Sequence, residues 1–248
     1  MLIEIGKVEA LYRYPVKSMR GESLDAASLG WHGFDGDRCL AFRRMEDRGG
    51  FPWLSAGKLP DLVLFTPVRR EDGATGALPT HVRTPEGDEM ELHGEDLAAE
   101  VGRRHGAPVQ IMHYKHGIFD EASVSVIATD TIDEISRLAG VAADVRRFRP
   151  NVLVRLTKPG SFLEDAWVGG MLSFGEEDDA PAIAVTMRDV RCGMVNLDPD
   201  TAAPTPEVFK SIVRVNDSTA GVYGTVVRTG RVVVGDPVFF RAAERRER

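Results

Sequence analysis

The sequence predicts a mainly β fold with a few helices, of the α+β class, and three observations carry that prediction. Short runs of alternating apolar and polar residues, broken by turn residues, fill the first hundred positions, the pattern of a small barrel or sandwich. Helical periodicity is confined to stretches near residues 94–105, 129–140 and 206–213. Residues 222–227 and 231–240 are rich in β-branched and aromatic side chains and read as strands that close the fold, paired with each other.

Composition sets the bounds. At 248 residues and 43% hydrophobic, the chain can bury the core of one large domain or two small ones. Glu4 and Lys7 interrupt the first apolar run and no window approaches a membrane span, so a cytoplasmic protein that does not engage a membrane is expected. Cys39 and Cys192 are the only cysteines, which excludes a disulfide framework, a zinc finger or an iron–sulfur ligand set within the chain. If the chemistry needs electrons, another protein must bring them. The net charge of −7 argues against nucleic acid as a general partner, and an anionic ligand would need a local pocket of Arg and Lys.

Taken in order, Ile3 to Tyr14 alternates as a strand and stops at Pro15, and Val16 to Gly21 follows as a loop with Lys17, Ser18 and Arg20. Those groups suit an anion contact, or are solvated loop charges. Arg38 to Phe42 reads as a buried strand after a turn-rich connection. Cys39 is then core packing, and Arg38 is either a second site cation or the partner of Asp35 or Asp37. Leu54 to Phe65 reads as a turn or short helix running into a strand, and residues 69–79 as an exposed hairpin or insertion. His81 to Thr84 and Glu89 to Leu92 alternate about Pro85-Glu86-Gly87-Asp88, a hairpin signal.

Gly94 to His105 is acidic at its start and basic at its end, as a helix dipole prefers, and marks the passage to the second half. Strands are expected at Val109–His113 and Ser123–Ile127, then a helix capped by Thr129 or Asp130 with a core face of Ile132, Ile135 and Leu138. Arg146, Arg147 and Arg149 beside Asn151 form the densest basic cluster and lead into the strand Val152–Leu156. Guanidinium groups grip phosphate through paired hydrogen bonds, so this cluster is a phosphate candidate, or an ordinary surface charge run. Ala166 to Phe174 reads as a hairpin or bend, and Pro206 begins a short helix.

The stretch around Cys192 concentrates the chemistry. Ile183 to Met187 reads as a strand and Asp198-Pro199-Asp200-Thr201 as a turn, which puts Cys192 just past a strand end, where sites are commonly built. A thiol beside Arg188 and Arg191 favours the thiolate, the form that attacks substrates or binds soft metals. A small buried hydrophobe is the competing reading. Asp198 or Asp200 is a candidate for proton delivery, against the ordinary reading that both shape the turn.

Tyr14-Pro15-Val16-Lys17-Ser18, Phe148-Arg149-Pro150-Asn151, Arg191-Cys192 followed by Asp198-Pro199-Asp200-Thr201, and Val234-Gly235-Asp236-Pro237-Val238 occur in register along nearly the whole chain. In these motifs the chain resembles the MOSC family, named for the C-terminal domain of molybdenum cofactor sulfurases. It is more similar to stand-alone members with an N-terminal β-barrel domain, such as the mitochondrial amidoxime-reducing component and its bacterial relatives, than to the sulfurase domain itself. The resemblance implies an N-terminal MOSC β-barrel domain over residues 1–93 packed on a MOSC β-barrel domain over 94–240; the charged composition of residues 241–248 reads as a disordered tail. It implies the molybdenum cofactor held between them, with the metal on Cys192 and the pterin and its phosphate on Lys17, Ser18, Arg38, Ser123, Arg149, Asn151 and Arg191. Arg147 joins that set from the basic cluster.

Two departures from the family stand out. Relatives often carry an arginine where this chain has Gly57, so a contact there is absent or supplied by Lys58. The segment between Gly224 and Gly230 is shorter than in the reductases and lacks their tyrosine. The expected function is a molybdenum-dependent oxidoreductase that reduces N-hydroxylated or related N–O compounds. It would act as a monomer on a small-molecule substrate, with electrons from a separate flavin or iron–sulfur protein. The alternatives are a carrier, with cofactor or a persulfide on Cys192, and a binding module with an inert cysteine. No pyridoxal-phosphate desulfurase domain is recognisable, so the chain would not generate that sulfur itself.

Overall fold

A computed structural model of the chain describes residues 2–70 and 78–243. The long first strand, β1 (Leu2–Arg13), is followed by β2 (Glu22–Leu24), β3 (Ala26–Gly30), β4 (Gly33–Phe34) and β5 (Leu40–Arg44). A 3₁₀ turn at Pro60–Leu64 leads into β6 (Thr66–Val68), and β7 (His81–Arg83) with β8 (Glu89–Glu91) makes the expected hairpin. Then come helix α1 (Glu95–His105), β9 (Val109–His113), β10 (Val124–Ala128), helix α2 (Thr129–Ala139), β11 (Val152–Leu156), β12 (Met171–Phe174) and β13 (Ala182–Val190). Helix α3 (Glu207–Asn216), β14 (Thr219–Arg228), β15 (Gly230–Val233) and β16 (Pro237–Arg241) complete the chain. The fold is mainly β with three helices, as the sequence predicts. Most of the expected insertion at 69–79 and of the tail at 241–248 lies outside the described residues.

Seven strands close into a barrel in the order β11-β10-β14-β13-β12-β16-β1, because β1 pairs with β16 on one edge and β11 on the other. The N-terminal strand thus sits among strands of the second half. Alternation puts Val8 and Leu11 inside with Val126, Val154, Leu172, Ile183, Val222 and Val238, all buried. Bulges in β1, at Val8/Ala10 against β11 and Glu4/Gly6 against β16, bend the strand enough for closure. Gly6 makes the seam possible: a Cβ there would lie 2.2 Å from the Arg155 carbonyl oxygen.

A second apolar core lies between the early strands and α1, built from Val16, Leu40, Phe42, Leu54, Phe65, Leu97 and Val101. Helices α2 and α3 cover the barrel's outer face through Ile132, Ile135, Val208 and Ile212 against Phe148 and Leu153. A small cluster of Ala56, Val63, Leu197 and Ala202 ties the segment after Cys192 to the region preceding β6.

Two local expectations are corrected. Neither Thr129 nor Asp130 caps α2: the residue before the helix is Ala128, and the Thr129 hydroxyl donates to Glu9 instead. Buried Glu164 accepts from Ala128 N at 3.2 Å and Thr131 Oγ1 at 2.9 Å, and burial pushes its carboxyl up to about 7 against those two bonds. The closing strands do not pair with each other. β14 lies between β10 and β13, whereas β15 joins β3 and β16 joins β1 and β12. Gly230, at φ 155°, sits where the chain leaves one sheet for the other. Ala166 to Phe174 bends as expected, from the end of the 3₁₀ turn at Leu163–Trp167 through Gly169 and Gly170 into β12.

Candidate functional site

Cys192 lies two residues past the end of β13 and is exposed, which removes the reading of a buried hydrophobe. Extended backbone at Cys192 (φ −110°, ψ 176°) leads into a 3₁₀ turn at Gly193–Asn196. The neighbouring arginines do not turn toward the sulfur. Arg188 bonds Asn216 and pairs with Asp165, and Arg191 donates to the Phe148 and Ala220 carbonyls and pairs with Asp189 at 2.8 Å. Their guanidinium groups brace the strand end.

Arg38 and Arg149, from distant segments, converge on Tyr14. The Arg38 guanidinium pairs with Asp37, donates to Asn151 Oδ1 at 3.3 Å and to the Arg149 carbonyl at 2.9 Å, and lies 4.9 Å from the centre of the Tyr14 ring. Burial works against its charge, but Asp37, Tyr223 and Tyr14 outweigh burial and raise its pKa. Arg149 packs on the same ring at 4.2 Å and donates to the Met19 carbonyl at 2.6 Å. Among the described residues no carboxylate pairs with it, and burial, with Arg38 adding to it, lowers its pKa to about 10. Asn151 is fully buried and spends its amide within the protein: Oδ1 accepts from Ser125 N and Nδ2 donates to Asp37 and to the Tyr12 carbonyl. It joins β1, β10 and the Asp37 turn around the cluster.

Lys17 is buried at 7% exposure, with its ammonium on exposed Asp120 at 2.6 Å and 5.4 Å from the Phe51 ring centre. Ser18 is buried, and its Oγ accepts from Ala56 N at 3.0 Å. Ser123 lies just before β10, where a Cβ on Gly33 would meet its carbonyl oxygen at 2.7 Å, and it makes no hydrogen bond to the other expected residues. Ser18, Arg38 and Arg149 all hold left-handed backbone, φ 66°, 51° and 51°. For residues with a Cβ this costs about 1 kcal/mol or more each, and such strain persists where surrounding structure fixes it, commonly at sites.

Beneath the cluster, Asp189 accepts from Ser125 Oγ at 2.9 Å, and burial pushes its carboxyl up to about 6 in spite of Arg191. Tyr223 on β14 is pushed up to about 12 by burial first and then by Asp189. Gly221 must lack a side chain: at φ 81°, a Cβ would lie 2.7 Å from the Val126 carbonyl and 3.2 Å from Arg191.

The basic cluster divides. Arg147 is buried and reaches the Asn196 carbonyl and Asp198 at 3.0 Å each, and Arg146 pairs with Asp144 and Asp200. Of the three arginines, only Arg149 packs on the Tyr14 ring, and Arg147 is held by Asp198. Asp198 is built into the turn: its Oδ1 accepts from Asp200 N, Thr201 N and Thr201 Oγ1. Burial pushes its carboxyl up, but those donors and Arg147 outweigh it and hold it below the ordinary value. An ionised carboxylate so engaged is a poor proton donor.

Family models match over most of the chain: the MOSC domain over residues 101–239 and the MOSC N-terminal beta barrel domain over residues 5–123. The chain belongs to the MOSC family. No curated protein matches it. The crystal structure of YuaD from Bacillus subtilis is similar at 17% identity and a TM-score of 0.54, covering 98% of this chain and 99% of that one. A hypothetical protein matches at 12% identity and a TM-score of 0.45 over 97% of this chain and 69% of its own. YiiM from Geobacillus stearothermophilus matches at 15% identity and a TM-score of 0.37 over 48% and 54%. The YuaD likeness shows the fold alone.

The MOSC domain is associated with the molybdenum cofactor, and no specific reaction is fixed by membership. Among the described residues, no three His, Cys, Asp or Glu side chains gather as a metal site. No helix among them is long and apolar enough to cross a membrane. Gly57 lies in an exposed turn with only Ser55 Oγ near, at 3.6 Å. Sequence reasoning missed Tyr14 as a shared aromatic support, Asp120 as the Lys17 partner and the Ser125–Asp189 pair. Ser125 carried a usable signal: a lone hydroxyl in an otherwise apolar buried strand needs a partner.

Proposed function

We propose that this MOSC protein binds the molybdenum cofactor, with Cys192 as its protein ligand to the metal and Lys17, Arg38 and Arg149 holding the anionic pterin phosphate. The observation that carries the reading is an exposed thiol at a strand end together with one buried and two half-buried cations drawn from three distant segments. The donor set fits: Arg149 has no carboxylate of its own, and a thiolate suits a soft metal. Ser18, Ser123, Asn151 and Arg191 set the shape of this cradle.

When bound, the cofactor supplies redox chemistry for oxygen-atom transfer from N–O compounds. The chain's own residues bind and orient it and lend a positive field. With only two cysteines the chain needs a separate flavin or iron–sulfur donor, and we place it as a monomeric reductase in the cytoplasm. The test is turnover of benzamidoxime or hydroxylamine by protein produced in cells that make the cofactor, with reduced methyl viologen as surrogate donor. Formation of benzamidine from benzamidoxime, or of ammonia from hydroxylamine, that disappears in Cys192→Ala supports the enzyme. Exposure of Cys192 also favours a carrier, and release of molybdenum to a cofactor-free enzyme without turnover selects that reading.

A further inference from the structure

A buried polar network joins the cations of the proposed cradle, and one of its members, Asp189, has no part in holding the cofactor. Asp189 is 1% exposed, accepts from Ser125 Oγ at 2.9 Å and pairs with Arg191 at 2.8 Å. Ser125 N donates to Asn151 Oδ1, and Asn151 Nδ2 donates to Asp37, which also pairs with Arg38 and accepts from Tyr14 N at 2.7 Å. Besides Arg191 and Ser125, the groups that face Asp189 are Tyr223 on β14, Arg38 before β5 and Asp120 before β10.

Charge in this cluster does not balance. Arg38, Arg149 and Arg191 bring three positive charges against the two negative charges of Asp37 and Asp189, while Asp120 cancels Lys17. One positive charge is in excess. A divalent anion on these cations would turn that into one negative charge in excess, in surroundings where an uncompensated charge is costly. A single proton restores the balance.

Of the two buried carboxylates, Asp189 is the one placed to accept it. Asp37 is met by N–H groups of Tyr14, Asn151 and Arg38, which only donate and offer no acceptor to an acid proton. The Ser125 hydroxyl can donate to a carboxylate or accept from a carboxylic acid, so it serves both states of Asp189. Arg191 is also anchored on the Phe148 and Ala220 carbonyls and does not depend on Asp189 for its place. Burial already pushes the Asp189 carboxyl up to about 6. We infer, resting on the anion site proposed above, that Asp189 takes up one proton when a divalent anion enters the cradle, so that anion and proton bind together. Affinity for the anion is then level below about pH 6 and falls by up to about tenfold per pH unit above it, where the empty site holds an ionised Asp189.

The experiment is calorimetric titration of the full chain, produced in cells that do not make the cofactor, with sulfate, which keeps both charges across the range from about pH 5 to 8. Ionic strength is held constant, and paired buffers of different ionisation enthalpy give the proton count. At about pH 7 the native protein should take up between half and one proton per sulfate bound. Asp189→Asn should take up none, bind sulfate about tenfold more tightly than the native protein at that pH, and show a level pH profile. Ser125→Ala removes a donor to the ionised carboxylate and should move the onset of the fall about one pH unit higher, which a merely structural role would not do. No sulfate binding, binding without proton uptake, uptake unchanged in Asp189→Asn, or an onset unmoved in Ser125→Ala would each overturn the inference. Proton-linked sulfate binding by a protein that acquires no molybdenum in cofactor-producing cells would sustain it while removing the cofactor, so the two failures are told apart.

Discussion

The Arg149 guanidinium lies 4.2 Å from the centre of the Tyr14 ring, and the same ring supports Arg38 at 4.9 Å. Two like charges share one buried aromatic whose face offsets part of their desolvation. Tyr14→Leu should therefore cost about 2–4 kcal/mol in urea unfolding, from lost ring packing and two cation–π contacts. Tyr14→Phe should stay within about 0.5 kcal/mol of the native protein, since the hydroxyl has no partner. Equal losses in the two variants would show that the ring is not what matters.

Asp120 occupies the Lys17 ammonium from an exposed position. An anion entering the cradle competes with that carboxylate, so Asp120→Asn should tighten inorganic phosphate binding about five- to tenfold while lowering stability by about 1 kcal/mol. Thermal shift against phosphate concentration measures both. Weaker phosphate binding in this variant would mean that Asp120 orders the site rather than competing for it.

Buried Glu164 gives stability a definite dependence on pH. Its carboxyl sits at about 7 in the fold against an ordinary 4.5, so between those values the folded state holds the proton more tightly than the unfolded state. Stability should fall as pH rises through that window, by up to about 3 kcal/mol. Asp189, raised to about 6 from 3.8, slopes the same way at lower pH. Glu164→Gln should flatten the curve between pH 5 and 8 in denaturant melts. A slope unchanged by the substitution would contradict this origin.

The barrel seam offers a packing test. Gly6→Ala puts a methyl group 2.2 Å from the Arg155 carbonyl, backbone that cannot swing aside, and should cost about 3 kcal/mol or prevent folding. Circular dichroism melts decide it, and a melting temperature like that of the native protein would mean the seam can open without penalty.

Much of this was legible in the sequence where the signal is local. The hairpin about Gly87, the helix from Glu95 and the strand end before Cys192 follow from period and turn chemistry. Pairings between distant segments were not. Lys17 and Asp120 are 103 positions apart, and nothing near either announces the other. The split of Arg146 and Arg147 from Arg149 follows from a 3₁₀ turn at Val145–Arg147 and left-handed backbone at Arg149, which aim adjacent side chains in different directions. The two closing runs look like a hairpin by composition, and only the closed barrel, with β1 seated beside β16, shows why they part.

The central claim is a metal held by the Cys192 sulfur, and metal content measures it most directly. Protein purified from cells that make the molybdenum cofactor should contain molybdenum and pterin in about equal amounts. Cys192→Ala should lose the molybdenum while melting at the native temperature, because the exposed side chain supports no packing. Molybdenum absent from the native protein, or retained in full by Cys192→Ala, would contradict the account.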